Sequence, residues 1–209
     1  KQNQELNAVI KEFTETDAAT FGKLSASDQL AFLINAYNAL AIKLVVDHYP
    51  IKSIKDVGSF WRSAGKQKFF KLFGKDASLD AIANEHIRKA FNDPRVHFAL
   101  VPASKGGPNL RNEAYIGARL DRQLDEDATR FLKDPNKNRW DKKERTLTLS
   151  KVFDWYDKDF RKKYGDVLNF VAPRVTSHIE EETVAKMGTV KFLDYDWALN
   201  IGFLSNNIN

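Results

Sequence analysis

One segment with the spacing of a helix has almost no polar face, and it constrains the fold more than any other. Ser25 and Asp28 form an S-x-x-D helix start, after which the apolar spacing runs through Leu30, Leu33, Ile34, Tyr37, Leu40, Ala41, Leu44 and Val45 to a stop at Tyr49-Pro50. Between residues 31 and 46 the pattern is apolar nearly all round, interrupted mainly by Asn35, Asn38 and Lys43. A helix without a wet side has to be covered on every side, so it belongs in the middle of the protein. The 209 residues, 43% hydrophobic with 15 Phe, supply enough apolar volume to do so within one domain. No apolar run reaches the roughly 18 residues of a membrane span, and no secretory leader is visible.

The other elements arrange themselves around this helix. Residues 5–21 carry helical spacing (Leu6, Val9, Ile10, Phe13), and residues 51–57 read as a loop or short turn. Residues 68–73 alternate and end in Phe73-Gly74-Lys75-Asp76, the edge of a hairpin. Ser78 caps a helix over 79–91 that stops before Asp93-Pro94, and a further helix is expected over 112–132, with Ile116, Leu120, Leu124, Ala128 and Phe131 on one stripe. A short strand at 146–149, an aromatic-rich helix over 151–160, helices at 167–172 and 177–187, and a strand over 190–197 complete the reading. The expected class is α+β, a mostly helical single domain with a small antiparallel sheet and a central buried helix. With no repeat or low-complexity linker, residues 1–24 read as a helical leader to a domain over 25–200, followed by a tail at 201–209.

Charge and composition narrow the chemistry. With no cysteine, disulfides, thiolate metal sites and thiol nucleophiles are excluded. No H-E-x-x-H or phosphate-loop pattern occurs, and Asp154, Asp157 and Asp159 lack the glycine and terminal glutamate of a calcium loop. No metal or nucleotide cofactor is expected. The net charge of +5 is interleaved with acidic residues rather than massed. The best basic patch is Arg62, Lys66, Lys68, Lys71 and Lys75 between Trp61, Phe69, Phe70 and Phe73. It reads either as a polyanion surface or as an exposed hairpin with alternating faces, and nucleic acid is not the expected partner.

Residues 94–110, PRVHFALVPASKGGPNL, mark the candidate site. His97 leads an apolar run that breaks into Ala103-Ser104-Lys105-Gly106-Gly107 before Pro108. Paired glycines allow positive φ or close approach to another group, and Pro108 sets the exit. Ser104 offers the loop's one hydroxyl. Glu85, on the preceding helix, is the carboxylate expected to bond His97 and fix its tautomer. Asn35 and Asn38 share a helix face, where their amides either satisfy loop backbone or bind ligand.

These segments resemble the family designated domain of unknown function 547. The resemblance rests on Asn35-Ala-Tyr-Asn38 with the following Leu-Val-Val-Asp-His-Tyr-Pro, Ile51-Lys-Ser-Ile-Lys-Asp56, and Ser78-Leu-Asp with Glu85-His86. It continues through Arg95-Val-His97-Phe-Ala99, Ser104-x-x-x-Pro108-Asn-Leu110, Leu149-Ser150-Lys-Val-Phe-Asp-Trp155 with Asp159-Phe160, and Tyr195-Asp-Trp197-x-Leu-Asn200. The family pattern usually has asparagine at Val101, cysteine at Pro102 and a second cysteine at Gly107. A Glu/His/Cys set would imply thiol hydrolase or transferase chemistry, and Gly107 removes its nucleophile. The resemblance also implies a bacterial protein in the periplasm or cell envelope, soluble rather than membrane-spanning.

Three functions follow as expectations. The first is a non-catalytic domain that keeps the cleft, in the manner of a pseudoenzyme, and binds a small-molecule or peptide-like ligand through Asn35, Asn38, Glu85, His97 and the Ser104–Gly106–Gly107 backbone. The second is a hydrolase or transferase using His97 with Ser104 or an activated water. The third is a protein that acts through its basic surface. Oligomeric state is left open.

Overall fold

The computed structural model describes residues 2–58, 63–141, 143–144, 146–175 and 189–200. It is α+β and mostly helical. The all-round apolar segment forms α3 (Ala26–His48), capped by Ser25, whose Oγ accepts from Asp28 N and donates to Asp28 Oδ2 at 2.5 Å. Ten of its residues are buried, among them Leu33, Ile34, Leu40 and Leu44. By length and composition alone α3 could cross a membrane, contrary to the expectation that no run is long enough. Its burial inside the fold identifies it as the core helix.

Where expectation and structure differ, a side chain has claimed the backbone. The single helix expected over 5–21 is two, α1 (Gln2–Glu15) and α2 (Ala18–Gly22), because Asp17 Oδ1 accepts from Thr20 N and starts a new cap. The helix expected from residue 112 begins only at α5 (Leu120–Leu132), after a 3₁₀ turn at Gly117–Arg119. Upstream, Asn35 Nδ2 donates to Tyr115 O and Tyr115 N donates to Asn35 Oδ1, both at 2.9 Å. These bonds take the peptide groups that a helix would need. Gly117 then passes so close to α3 that a Cβ would lie 2.0 Å from Asp28 Oδ1.

The hairpin is β1 (Phe70–Leu72) and β2 (Lys75–Ala77), antiparallel with Leu72 opposite Lys75. Its two-residue turn has positive φ at both Phe73 (51°) and Gly74 (77°), which matches strand twist. Phe69, Phe70 and Phe73 are half-buried and pack on the core while Lys66, Lys68, Lys71 and Lys75 stay exposed, so the two sets point to different faces of the hairpin. Trp61 and Arg62 of the basic patch lie outside the described residues. Ser78 leads into a helical stretch over 79–90, π-helical at Ala81–Ile87 and ending in α4 (Arg88–Ala90).

A second sheet contains β3 (Arg139–Asp141), β4 (Thr146–Leu149) and β5 (Thr189–Phe192), with β4 in the centre. It is mixed, not purely antiparallel: β4 and β5 run parallel, Leu147 opposite Val190. The strand expected over 190–197 therefore ends at Phe192, and residues 193–200 leave the sheet as an extended strap. Between β4 and β5 lie α6 (Lys151–Trp155), α7 (Asp157–Tyr164) and α8 (Val167–Val175), the expected 151–160 helix being broken at Tyr156. The helix expected over 177–187 and the tail at 201–209 lie outside the described residues.

Apart from a small cluster of Val45, Ala103 and Leu199, the described residues form two apolar cores. One surrounds α3; the other is a nest of Phe98, Phe131, Phe153, Phe160 and Phe170 under β4. The 3₁₀ turn Pro94–Phe98 joins them, sending Val96 into the first and Phe98 into the second. His97 sits between, at the seam. Asn38 holds the exit of this turn: its Nδ2 donates to Ala99 O and its Oδ1 accepts from Val101 N, both at 2.9 Å.

Replacing Asn38 by Ala strands one buried carbonyl and one buried N–H, each worth about 1–3 kcal/mol. Asn38→Ala should therefore lower unfolding stability by about 2–6 kcal/mol in urea titrations. A loss no larger than that of an exposed Asn→Ala control would refute the assignment.

Candidate functional site

Asp159, rather than Glu85, faces His97. Tyr156 ends α6 with φ −112° and ψ 19°, and this break lays its ring flat on the imidazole, with centroids 3.6 Å apart and planes 11° apart. Three residues further, on α7, Asp159 Oδ2 lies 2.8 Å from His97 Nε2. Arg88, at the end of the π-helical stretch, donates Nε–H to Asp159 Oδ2 (2.7 Å) and Nη2–H to Oδ1 (2.9 Å), a bidentate pair. Its remaining Nη1 donates to Asn84 Oδ1. Glu85 is exposed and makes no bond to His97. On the widened turn of that helix, the residue that reaches the imidazole's partner is Arg88.

The electrostatics assign the proton. Burial raises the Asp159 carboxyl, but the bonds from His97 and Arg88 outweigh that and hold it well below the usual carboxylate range. The His97 side chain is 3% exposed, and desolvation lowers its pKa despite the raising effect of Asp159. At neutral pH the ring is neutral. A carboxylate only accepts, so Nε2 carries the hydrogen and Nδ1 is left as a free lone pair. Nδ1 has no hydrogen-bond partner among the described residues, and it is not sealed from solvent.

His97 lines a recess of about 130 Å³ with Tyr37, Trp155, Tyr156, Tyr195 and Trp197, bounded by Pro102 and Pro108. The aromatic wall comes from three places in the chain: α3, the α6–α7 break and the strap. Burial raises the phenols of Tyr37 and Tyr156, and pushes Tyr195 up to about 12, so all three stay protonated at neutral pH.

The remaining expected site residues are structural in their contacts. Ser104 is fully buried and its Oγ pairs with Tyr195 Oη at 2.6 Å; the expected bond to His97 is absent. The loop's N–H groups are spent as well. Lys105 N donates to Ala198 O, Gly106 N to Asp196 O and Gly107 N to Ser104 O. Asn35 and Asn38 are committed to Tyr115, Ala99 and Val101. Neither glycine of the pair has positive φ; the left-handed position is Ala103, at φ 59°. The glycines serve close approach: a Cβ on Gly106 would lie 2.9 Å from Asp196 N, and one on Gly107 would lie 2.9 Å from Pro102 Cγ and 3.0 Å from Tyr195 Oη. Among the described residues no cluster of three or more His, Asp or Glu side chains could hold a metal.

Sequence reasoning missed Asp159 and Arg88. Asp159 was visible only as a rejected calcium ligand and as part of the Asp159-Phe160 match, and nothing local to either residue signals a partner 62 or 71 positions away.

Compared with known proteins, residues 21–132 match the model of a family described as "Protein of unknown function, DUF547", just over half of the chain. The matched span includes His97 and the glycine loop and ends before Asp159. No curated protein and no solved structure matches.

Two outcomes test this geometry. Gly107→Cys should cost about 1–3 kcal/mol through overpacking against the Pro102 ring, and should not yield a low-pKa thiol; a stable variant whose thiol titrates below 7 would contradict it. Because His97 is held neutral, its contribution to stability is fully present above the ordinary histidine value of 6.5 and is lost as pH falls below it. Asp159 adds a second loss below the ordinary 3.8. His86, also lowered by burial, shares the first limb. Urea midpoints should therefore decline between pH 6.5 and 4.5, and less steeply in His97→Gln; identical slopes would remove His97 from the linkage.

Proposed function

The chain belongs to the DUF547 family of proteins of unknown function, and we propose that it is a binding protein which accepts a small hydrogen-bonding ligand in the aromatic recess at His97. The observation that carries this reading is the free Nδ1 of a tautomer-locked imidazole, set in a concave aromatic pocket. A neutral imidazole nitrogen accepts from a ligand N–H or O–H, and the rings around it bury the rest. No nucleophile accompanies it: Gly107 has no side chain and the Ser104 hydroxyl is committed to Tyr195. The contributions first expected from Asn35, Asn38, Gly106 and Gly107 are indirect, since these residues shape the recess walls. Location in a bacterial envelope or periplasm remains part of this proposal, on the strength of the family resemblance.

The same Asp159–His97 pair favours a second reading, hydrolysis by a water that Nδ1 deprotonates. An orienting carboxylate behind an imidazole is the arrangement a general base uses. The basic-surface reading has less support, because the phenylalanines among the lysines pack inward.

The two Trp residues of the recess make binding observable. Titration with N-acetyl amino-acid amides should give a saturable change in tryptophan fluorescence that His97→Ala abolishes while circular dichroism is unchanged. Saturable binding that survives the substitution would refute the proposal. Turnover of ester or amide reporters, lost in His97→Ala and in Asp159→Asn, would establish the hydrolytic reading instead.

A further inference from the structure

The His97 recess adjoins a second hollow, of about 290 Å³. Tyr37, Pro102 and Trp197 line both. Beyond these three shared residues the second hollow is mainly hydrocarbon, with Ala41, Leu44, Ile54, Ala64 and Leu79 outnumbering Lys55 and Ser63. A polar recess and a more apolar hollow therefore share a wall of two aromatic rings and a proline.

The chemistry of each end selects the occupant. A cationic head is disfavoured, since the protein's own cations already lie on the aromatic faces: Lys55 Nζ over Trp197 at 4.4 Å and the Arg88 guanidinium over Tyr156 at 4.9 Å. An anionic head is disfavoured at Nδ1, which presents a lone pair, and the Arg88 guanidinium that also lines the recess is already held by Asp159 in a bidentate pair. What remains is a neutral group that both donates and accepts. The hydroxyls of Tyr37 and Tyr156 have no hydrogen-bond partner among the described residues, and both residues line the recess with His97, so they are available as donors to a group bound there. A carboxamide meets that pattern with its N–H on Nδ1 and its carbonyl on a phenol. The adjoining hollow takes hydrocarbon attached to it.

We infer that the ligand is a neutral acyl amide, its amide in the His97 recess and its aliphatic chain in the hollow between α3 and Leu79. This rests on the binding reading above and adds the identity of both ends. The site then discriminates by chain length as well as by head group. Each methylene that leaves water contributes about 0.8 kcal/mol, about fourfold in affinity.

Calorimetric titration of the full chain with propanamide, hexanamide and octanamide tests the inference. Affinity should rise by up to about fourfold per added methylene until the hollow is filled, and octanoate and octylamine should each bind at least tenfold more weakly than octanamide. Gly65 borders the hollow, and a Cβ there meets nothing within 4 Å, so Gly65→Leu should leave the fold intact. The variant should bind propanamide as before and lose the gain from the longer chain. Equal affinities across the three amides, abolished by His97→Ala, would overturn the inference while leaving the binding reading in place. Tighter binding of octanoate or octylamine would overturn the choice of head group. If no amide binds, and the N-acetyl amino-acid amides leave tryptophan fluorescence unchanged, the binding reading itself fails.

Discussion

A helix that is apolar on every side is stable in water only when something covers each side, and that requirement organises this protein. α3 is too apolar to lie on a surface, so α1, the hairpin, the π-helical stretch, the His97 turn and the start of α5 all pack against it. Several of these elements are short or irregular, and short segments bring peptide groups toward a helix with few internal bonds to satisfy them. Asn35 and Asn38 answer that problem. Each amide offers one donor and one acceptor to a passing peptide, as a neighbouring strand would. The backbone that leaves the His97 turn is therefore held by the core helix itself.

The seam between the two cores is where chemistry becomes possible. Placing an imidazole and a carboxylate there costs desolvation, which by itself would raise Asp159 and lower His97. The bidentate Arg88 offsets the cost for the carboxylate, and the His97–Asp159 bond does so for the imidazole's Nε2. Nδ1 is the one atom of the set left without a protein partner among the described residues. An arrangement in which every other polar atom is satisfied directs attention to that atom, and the aromatic recess lies beside it.

The strap at 193–200 connects these themes. It brings Tyr195 and Trp197 to the recess wall while its backbone stitches the glycine loop to the 51–57 turn, through Leu199 N on Lys52 O and Ser53 Oγ on Trp197 O. Gly106 and Gly107 exist for this junction: the strap and Pro102 occupy the space their side chains would need. A ring at 102 and no side chain at 107 are complementary, which places two of the three departures from the pattern of the resemblance in one contact.

Local physics was enough to read the central helix with its Ser25 cap and Tyr49-Pro50 stop, the Phe73-Gly74 hairpin, the β4 strand and a special turn at His97, because each depends on spacing, capping or turn chemistry within a few residues. The same rules misread 112–119, 156 and 193–197, where Asn35, the His97 ring and the glycine loop, all distant in sequence, decide the backbone. His97 itself was identifiable from its surroundings, but its partners were not. Glu85 was the carboxylate expected from the preceding helix, whereas Asp159 is the one that reaches the imidazole once α7 closes over the seam. Composition and periodicity determined that there would be a buried central helix in a mostly helical α+β domain and no thiol chemistry. Which carboxylate meets the imidazole, and which nitrogen is left open, was decided only by tertiary packing, since a buried hydrogen bond forms between whichever groups the fold brings together and sequence distance does not enter that energy.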